Sequence, residues 1–157
     1  MFFTSRYSNP ELKSGKYTTV RISLGTPKWP LGYSIDAEMP DLMPFGLLNK
    51  YDNYDDFKGP YFERLDQKGV QRILSQLQRF ERRGKDVVLL CYEDIRKGPE
   101  DWCHRRAFAE WWLNQTGEPI EELYDPTPDP STKRQAVPKR SLETPPTTFH
   151  CEQLTLF

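Results

Sequence analysis

The 157-residue sequence has few cysteines and no long apolar run. Its three cysteines, Cys91, Cys103 and Cys151, are odd in number and widely spaced, which argues against a disulfide framework. A membrane-spanning helix needs about 20 consecutive apolar residues, and the sequence contains no such stretch. The first residues also lack the basic flank and apolar core of a secretion signal. We therefore expect a cytoplasmic protein with reduced thiols and no membrane partner.

The sequence also lacks an excess of positive or negative residues. The chain has 22 Lys and Arg residues against 23 Asp and Glu residues, which gives a net charge of -1. A chain so close to neutral gains little from displacing the counterions of DNA, so strong non-specific binding by the whole chain is excluded. Binding to DNA would need recruitment or a local basic patch, such as the face with Arg72, Arg79, Arg82 and Arg83 on the helix predicted over residues 70–80.

Apolar residues become scarce after Tyr124. Six prolines follow there among Ser, Thr, Lys and Arg, and this composition is typical of a disordered linker. Apolar residues return only at the C-terminus. The sequence therefore predicts a folded domain over residues 1–124, a flexible Pro-rich linker over residues 125–149 and a short peptide over residues 150–157.

Periodicity within the first part predicts an α/β fold. Residues 17–24 alternate between apolar and polar, which is typical of a strand with one buried face, and residues 2–7 fit a shorter strand. Residues 86–91 form a continuous apolar run typical of a strand buried on both faces. Helical spacing predicts one helix over residues 70–80, with Gly84 beyond its end, and a second over about 101–114. This order predicts a single domain with a small parallel or mixed sheet flanked by helices and followed by a disordered Pro-rich tail.

The first candidate site residues follow the strand predicted at residues 17–24. Ligands of parallel sheets collect just outside the carboxyl ends of the strands. Gly25 allows the backbone to turn closely, while Ser23 and Lys28 offer hydroxyl and ammonium groups that suit a phosphate. The sequence therefore predicts an anion- or substrate-binding segment at these three residues.

A second group joins the end of the strand at residues 86–91 to the next predicted helix. It comprises Cys91, Tyr92, Glu93, Cys103, His104 and Arg105. If Asp101 caps the helix, the second cysteine and the histidine lie in its first turn, where free amides and the helix dipole lower the pKa of a thiol. Cys103, His104 and Glu93 are the predicted catalytic residues. Arg105, Cys91 and Tyr92 are predicted to bind an anion or substrate.

Three interpretations of the cysteines compete. Cys91 and Cys103 can simply be small buried residues that pack the strand against the helix. Cys103 can instead be an activated thiolate, with Glu93 or His104 transferring protons. The third interpretation is zinc held by Cys91, Cys103, His104 and a further ligand. It is disfavoured because adjacent Cys and His side chains diverge and no second ligand pair exists at the usual spacing. The sequence thus predicts no metal and no cofactor.

Three stretches resemble the bacterial family catalogued as domain of unknown function 488. They are ISLGTP at residues 22–27, VVLLCYE at residues 87–93 and CHR at residues 103–105. The resemblance covers roughly residues 1–124 and leaves the tail outside. It implies a compact α/β fold with Cys91, Glu93, Cys103, His104 and Arg105 clustered at one sheet edge, and it implies no reaction. Many members carry a Gly-His-Ser-like turn after the first strand, whereas this chain has TSRY at residues 4–7, so that histidine is missing.

The last five residues resemble the clamp-binding motif of bacterial polymerases and repair proteins. They are Gln153, Leu154, Thr155, Leu156 and Phe157. Glutamine can hydrogen-bond at the rim of a pocket, while the two leucines and the phenylalanine supply apolar anchors. A Pro-rich linker would hold this peptide away from the domain. The alternative is a last strand that folds back onto its own domain.

Together these patterns predict an enzyme-like domain, directed at DNA or a nucleotide, that the bacterial sliding clamp recruits to replication or repair sites. The alternative is a non-catalytic clamp-binding adaptor or inhibitor, such as a phage or mobile element could encode. An open cleft that holds Cys103, His104, Glu93 and Arg105 favours the enzyme. Burial of these side chains beside an exposed apolar surface favours the adaptor.

Overall fold

A computed structural model describes residues 1–132 of the chain. Its strands are β1 (Phe2–Arg6), β2 (Tyr17–Arg21), β3 (Ala37–Glu38), β4 (Asp86–Cys91) and β5 (Glu121–Glu122). Its α-helices are α1 (Tyr54–Lys68), α2 (Val70–Glu81) and α3 (His104–Thr116). The five strands form one parallel sheet in the order β3-β2-β4-β1-β5. The predicted α/β class is confirmed. Residues 133–157, with most of the predicted linker and the whole terminal peptide, lie outside the described residues.

Strand β4 occupies the centre of the sheet and is buried on both faces, as its apolar run predicts. It pairs with β1 on one side and with β2 on the other. Val87 and Leu89 belong to the main core, while Val88 and Leu90 belong to a second cluster on the opposite face. The strand therefore places its last residue, Cys91, at the middle of the carboxyl edge of the sheet.

The helices cover the main core, and loops cover the other face. Ile73 and Leu77 on α2 are buried in the same core as the inward residues of β4, which matches the predicted spacing. Loop residues such as Leu31 and Tyr33 pack against the second cluster. Within residues 1–132 no helix combines the length and the apolar character that a membrane crossing requires.

Strand β2 is covered more completely than its sequence pattern predicts. The expectation that one of its faces is polar and exposed is wrong, because Thr19 on that face is buried. The hydroxyl of Thr19 donates to the carbonyl oxygen of Ser34 at 2.7 Å, so the loop that covers this face satisfies the polar side chain. The strand ends at Arg21, three residues earlier than predicted.

Helix α1 was not predicted, because Gly59 and Pro60 interrupt its sequence. Proline removes a backbone donor and is unfavourable inside a helix. The helix forms nevertheless, since Phe57, Tyr61 and Leu65 repeat every four residues and bury one face in the main core. Its start is fixed by Asn53, whose Oδ1 accepts the backbone N–H of Asp56 at 2.8 Å.

Contacts with the domain continue past Tyr124, where the linker is predicted to begin. Arg6 Nε donates to Asp125 Oδ2 at 2.7 Å. Arg96 Nη1 donates to the carbonyl oxygen of Thr127 at 3.0 Å. Residues 125–127 are therefore bound to the folded domain.

A charged side chain of α3 is fully enclosed. Arg105 on α3 is 0% exposed, and its Nε and Nη2 atoms donate to the carboxylate of Glu122 on β5 at 3.0 Å and 2.6 Å. The hydroxyl of Thr4 on β1 also donates to Glu122, at 2.8 Å. Strand β5 forms the edge of the sheet and has only two residues. This ion pair links it to α3.

The substitution Glu122→Gln is expected to lower the free energy of unfolding by roughly 2 to 3 kcal/mol, because it leaves the buried Arg105 guanidinium without its counter-charge. The effect is somewhat below that of a fully buried pair, since the side chain of Glu122 is 31% exposed. Chemical denaturation measures it. Glu121→Gln, at the exposed neighbouring position, is the control. Equal stability of the two variants would contradict the importance of the pair.

Candidate functional site

A buried cluster of Cys91, Cys103 and His104 lies at the carboxyl end of β4. Cys91 ends β4, Cys103 directly precedes α3, and His104 is the first residue of that helix. The two Sγ atoms lie 3.6 Å and 3.8 Å from His104 Nδ1. All three side-chain atoms lie within 4.8 Å of one another. The fold therefore joins thiols from two separate segments around one imidazole nitrogen.

The expectation that Cys103 and His104 diverge is wrong. Helix α3 does not begin near Asp101 as predicted, so Cys103 stands before the first turn as the N-cap residue, with extended backbone angles of φ -142° and ψ 151°. His104 already has helical conformation. This change of conformation between neighbours turns both side chains towards the same point.

The imidazole of His104 is held in one orientation. Its Nε2 lies 2.7 Å from the carbonyl oxygen of Ile22. A carbonyl can only accept, so Nε2 carries a proton and donates it. The ring also meets Tyr61 edge-on, with ring centroids 6.0 Å apart. Nδ1 is thereby directed at the two sulfurs.

Mutual contacts set the charges in this cluster. Burial opposes the Cys103 thiolate, but the hydrogen bond from Cys91 and the charge of His104 lower the pKa of Cys103 well below its ordinary value. Burial likewise opposes a charged His104, yet the contact with Cys103 raises the pKa of that histidine. Burial raises the pKa of Cys91. These contacts therefore favour the charged forms of Cys103 and His104 and the protonated form of Cys91.

Glu93 connects this buried cluster with solvent. The residue is exposed, while its Oε2 lies 3.4 Å from the Sγ of Cys91. Partial desolvation and the charge on Cys103 raise the pKa of Glu93 to about 7. A carboxyl group with such a pKa can both accept and donate a proton near neutral pH.

A pocket of about 280 Å³ reaches Glu93, Cys103 and His104. Its aromatic and apolar lining comes from the loop before α1, from α1 and from the residue before Cys103; these side chains are Pro44, Leu47, Leu48, Tyr51, Phe57 and Trp102. Glu100 and Asp101 also line the pocket, whereas no Lys or Arg of residues 1–132 does. The predicted catalytic residues thus meet in one cavity with an acidic and aromatic wall.

The aromatic side chains of the pocket were not predicted from the sequence. Tyr51 lies in a loop without periodicity, so no pattern marks it, and the interrupted sequence of α1 conceals the role of Phe57. Trp102 stands directly beside Cys103, and that adjacency is the signal that could have placed it at the site.

The structure contradicts the predicted role of Arg105 in anion binding. Its guanidinium is enclosed and bound by Glu122, so a substrate cannot reach it. Its positive charge instead favours the thiolate forms of Cys91 and Cys103. Within residues 1–132, its Nη1 is the one buried side-chain nitrogen or oxygen without a hydrogen-bond partner.

The segment after β2 does not form the predicted anion site. The hydroxyl of Ser23 is buried and lies 2.5 Å from the Tyr7 hydroxyl and 2.7 Å from the carbonyl oxygen of Gly25, so the fold itself uses it. Lys28 is exposed. Tyr92 packs on Tyr7 with ring centroids 5.0 Å apart. None of Ser23, Gly25, Lys28 and Tyr92 lines the pocket.

The loop between β4 and α3 carries one wall of the pocket, and Asp94 holds its start. The carboxylate of Asp94 accepts the backbone N–H of Arg96 at 3.1 Å and two bonds from its guanidinium, each of 2.9 Å. Arg6 on β1 lies 3.8 Å from the same carboxylate. These contacts fix the loop against the sheet just beyond Glu93.

No family model, no curated protein and no solved structure matches the chain. The resemblance to the domain of unknown function 488 therefore stays a prediction.

The variant Asp94→Asn is expected to lower the free energy of unfolding by about 2 kcal/mol at neutral pH. The hydrogen bonds from Arg96 lower the pKa of Asp94 from 3.8 to about 2, and its side chain is 10% exposed. This stabilisation is fully present above the unfolded pKa and is lost as the pH falls through the folded pKa. The difference between wild type and variant should therefore shrink between about pH 4 and pH 2, as measured by urea denaturation.

Asp52→Asn is the control, since Asp52 is exposed in the loop before α1. A difference for Asp94→Asn that stays constant down to the lowest pH would contradict the role given to the carboxylate charge.

Proposed function

We propose that the pocket is the active site of an enzyme that acts on DNA or on a nucleotide, and that the terminal peptide recruits this enzyme to the bacterial sliding clamp. One observation carries the enzymatic part: the pocket reaches Glu93, Cys103 and His104, which are three groups capable of chemistry. Glu93 is the exposed member and transfers protons. Cys103 and His104 act on the reacting group from the buried side.

The lining of the pocket favours a nucleobase over a phosphate. Glu93 and Glu100 make it acidic, and no Lys or Arg among residues 1–132 lines it, so a phosphate would be repelled. Tyr51 and Trp102 offer aromatic faces on which a base can stack. At about 280 Å³ the pocket lies at the small end of ligand sites, which suits a single base better than a whole nucleotide. Enzymes that act on a base withdraw it from the stack in this way.

A second candidate function is a clamp-binding adaptor without catalysis. Cys103 and His104 are 2% and 6% exposed, which is the burial expected of packing residues. Phe45 and Leu48, which lie in the loop before α1, are 53% and 56% exposed and provide apolar surface for a protein partner. The residues that favour an adaptor therefore lie at the same end of the sheet as those that favour an enzyme.

Binding of uncharged nucleosides tests the enzymatic proposal. We expect at least one of adenosine, guanosine, cytidine and thymidine to bind the full-length protein more tightly than its 5′-monophosphate does. Trp102→Ala should weaken that binding about tenfold or more, because base stacking contributes roughly 1 to 3 kcal/mol. Ligand-detected NMR and calorimetry measure both effects.

Trp29→Ala is the matched control, since Trp29 is 44% exposed and does not line the pocket. Thermal unfolding confirms that both variants fold. Failure of every nucleoside and of a short single-stranded oligonucleotide to bind at millimolar concentration would contradict the proposal and favour the adaptor.

The recruitment part depends on the terminal motif, which lies outside the described residues. Its support is the sequence itself, in which a hydrogen-bonding residue and three apolar anchors follow a Pro-rich segment. A short peptide of this kind typically binds in the micromolar range, on the order of 8 kcal/mol. Recruitment by such a peptide does not require a basic surface on the domain.

The double variant Leu156→Ala with Phe157→Ala should reduce binding to a bacterial sliding clamp by more than about a hundredfold, because each buried anchor contributes roughly 1.5 to 3 kcal/mol. Deletion of residues 153–157 should have the same effect. Fluorescence anisotropy with the purified full-length protein measures the affinity.

Glu152→Gln, directly before the motif, is the control and should bind like the wild type. The isolated peptide over residues 150–157 should compete with the whole protein. Equal binding by the double variant, or no binding of the wild type at high micromolar clamp, would show that the motif is not a docking peptide.

A further inference from the structure

Two of the three spacings in the buried cluster are close to the edges of a zinc tetrahedron. With Zn–S bonds of about 2.3 Å and Zn–N bonds of about 2.0 Å, tetrahedral geometry requires a sulfur–nitrogen separation of about 3.5 Å. The Sγ atoms of Cys91 and Cys103 lie 3.6 Å and 3.8 Å from His104 Nδ1. The two sulfurs lie within 4.8 Å of each other, and a tetrahedral ion would require them to be about 3.8 Å apart.

The orientation of the imidazole suits a metal ligand. Metal-binding histidines donate their second ring N–H to a carbonyl or carboxylate, which directs the other nitrogen at the ion. His104 does this through Nε2, which lies 2.7 Å from the carbonyl oxygen of Ile22. An ion at Nδ1 would replace the proton that this nitrogen otherwise shares with Cys103.

The donor set and its surroundings select zinc. Two thiolates and one imidazole are ligands that zinc prefers, whereas calcium and magnesium require oxygen. The enclosed guanidinium of Arg105 supplies positive charge beside both thiols and has no hydrogen-bond partner at Nη1. This positive charge is opposite in sign to the thiolates that coordinate a metal.

The fourth position would face the pocket. Cys103 and His104 both line the cavity, and the carboxylate of Glu93 reaches it from the solvent side, 3.4 Å from the Sγ of Cys91. Catalytic zinc sites use three protein ligands and keep one position for water or substrate, whereas structural sites are closed by four.

We infer that Cys91, Cys103 and His104 bind one zinc ion, with an open fourth position that faces the pocket beside Glu93. This inference replaces the sequence-based expectation of no metal. The bound ion would lower the pKa of a water molecule and polarise a substrate atom, and Glu93 would exchange protons with that water. The use of the ion in catalysis rests on the proposed function, but binding of the ion does not.

The test uses full-length protein that carries Cys151→Ser, so that the only thiols are the two in the cluster. After incubation with zinc and dialysis, mass spectrometry should find one zinc ion per chain in both this protein and the wild type. Neither remaining thiol should react with a thiol reagent until a chelator removes the metal. Cobalt in place of zinc should show thiolate charge-transfer bands and the strong visible absorption of a tetrahedral ion.

Further variants in the Cys151→Ser background separate ligands from neighbours. Cys91→Ser and Cys103→Ser should each weaken zinc binding by more than the roughly 10 to 100-fold that loss of an outer-shell partner costs. Glu93→Gln should keep one zinc per chain, because Glu93 adjoins the open position. If a cysteine variant fails to fold, the cobalt spectrum and the thiol protection of the Cys151→Ser protein still test whether the cluster binds the ion.

The inference is overturned if the wild type binds no zinc, if the Cys151→Ser protein loses it, or if Cys91→Ser binds as tightly as its parent. Loss of zinc from Glu93→Gln would overturn the open position. Zinc binding is measured without nucleoside, and nucleoside binding is measured with Trp102→Ala. A failure of the zinc inference can therefore be distinguished from a failure of the proposed function.

Discussion

The enclosed guanidinium of Arg105 is the constraint on which the carboxyl half of this fold depends. A charge with no solvent exposure persists only if the fold supplies a counter-charge, and Glu122 on the two-residue strand β5 supplies it. The hydroxyl of Thr4 on β1 orients that carboxylate. One ion pair thus joins α3 to two strands, and it explains why so short a strand is part of the sheet.

The same guanidinium shapes the chemistry nearby. Because it is already paired, it cannot hold a substrate anion, yet its charge still favours the thiolates of Cys91 and Cys103. Arg105 immediately follows the two cluster residues at the start of α3, so the ion pair that docks the helix also fixes Cys103 and His104. Stability and site geometry therefore depend on one interaction.

The sequence predicted the parts of the fold that periodicity marks and missed those that depend on tertiary contacts. The run of β4 and the apolar spacing of α2 were read correctly because burial repeats along them. Helix α1 was hidden by Gly59 and Pro60, and β5 consists of two glutamates that no pattern marks as a strand. The candidate residues were found because unusual residue types end a buried strand, but their convergence depends on the conformational change at Cys103, which residue types do not reveal.

Electrostatics explains why an enzyme of this kind would need recruitment. The basic face of α2 is only partly neutralised: Arg72 binds the buried carboxylate of Asp41 at 2.6 Å, whereas Arg79, Arg82 and Arg83 are exposed. The pocket itself is acidic, so it repels the backbone of the nucleic acid whose base it would accept. A near-neutral chain with an acidic pocket gains little affinity for DNA on its own. A tethered peptide that binds a clamp already encircling DNA would raise the local concentration of substrate without any basic surface, so the terminal motif and the charge of the pocket support the same function.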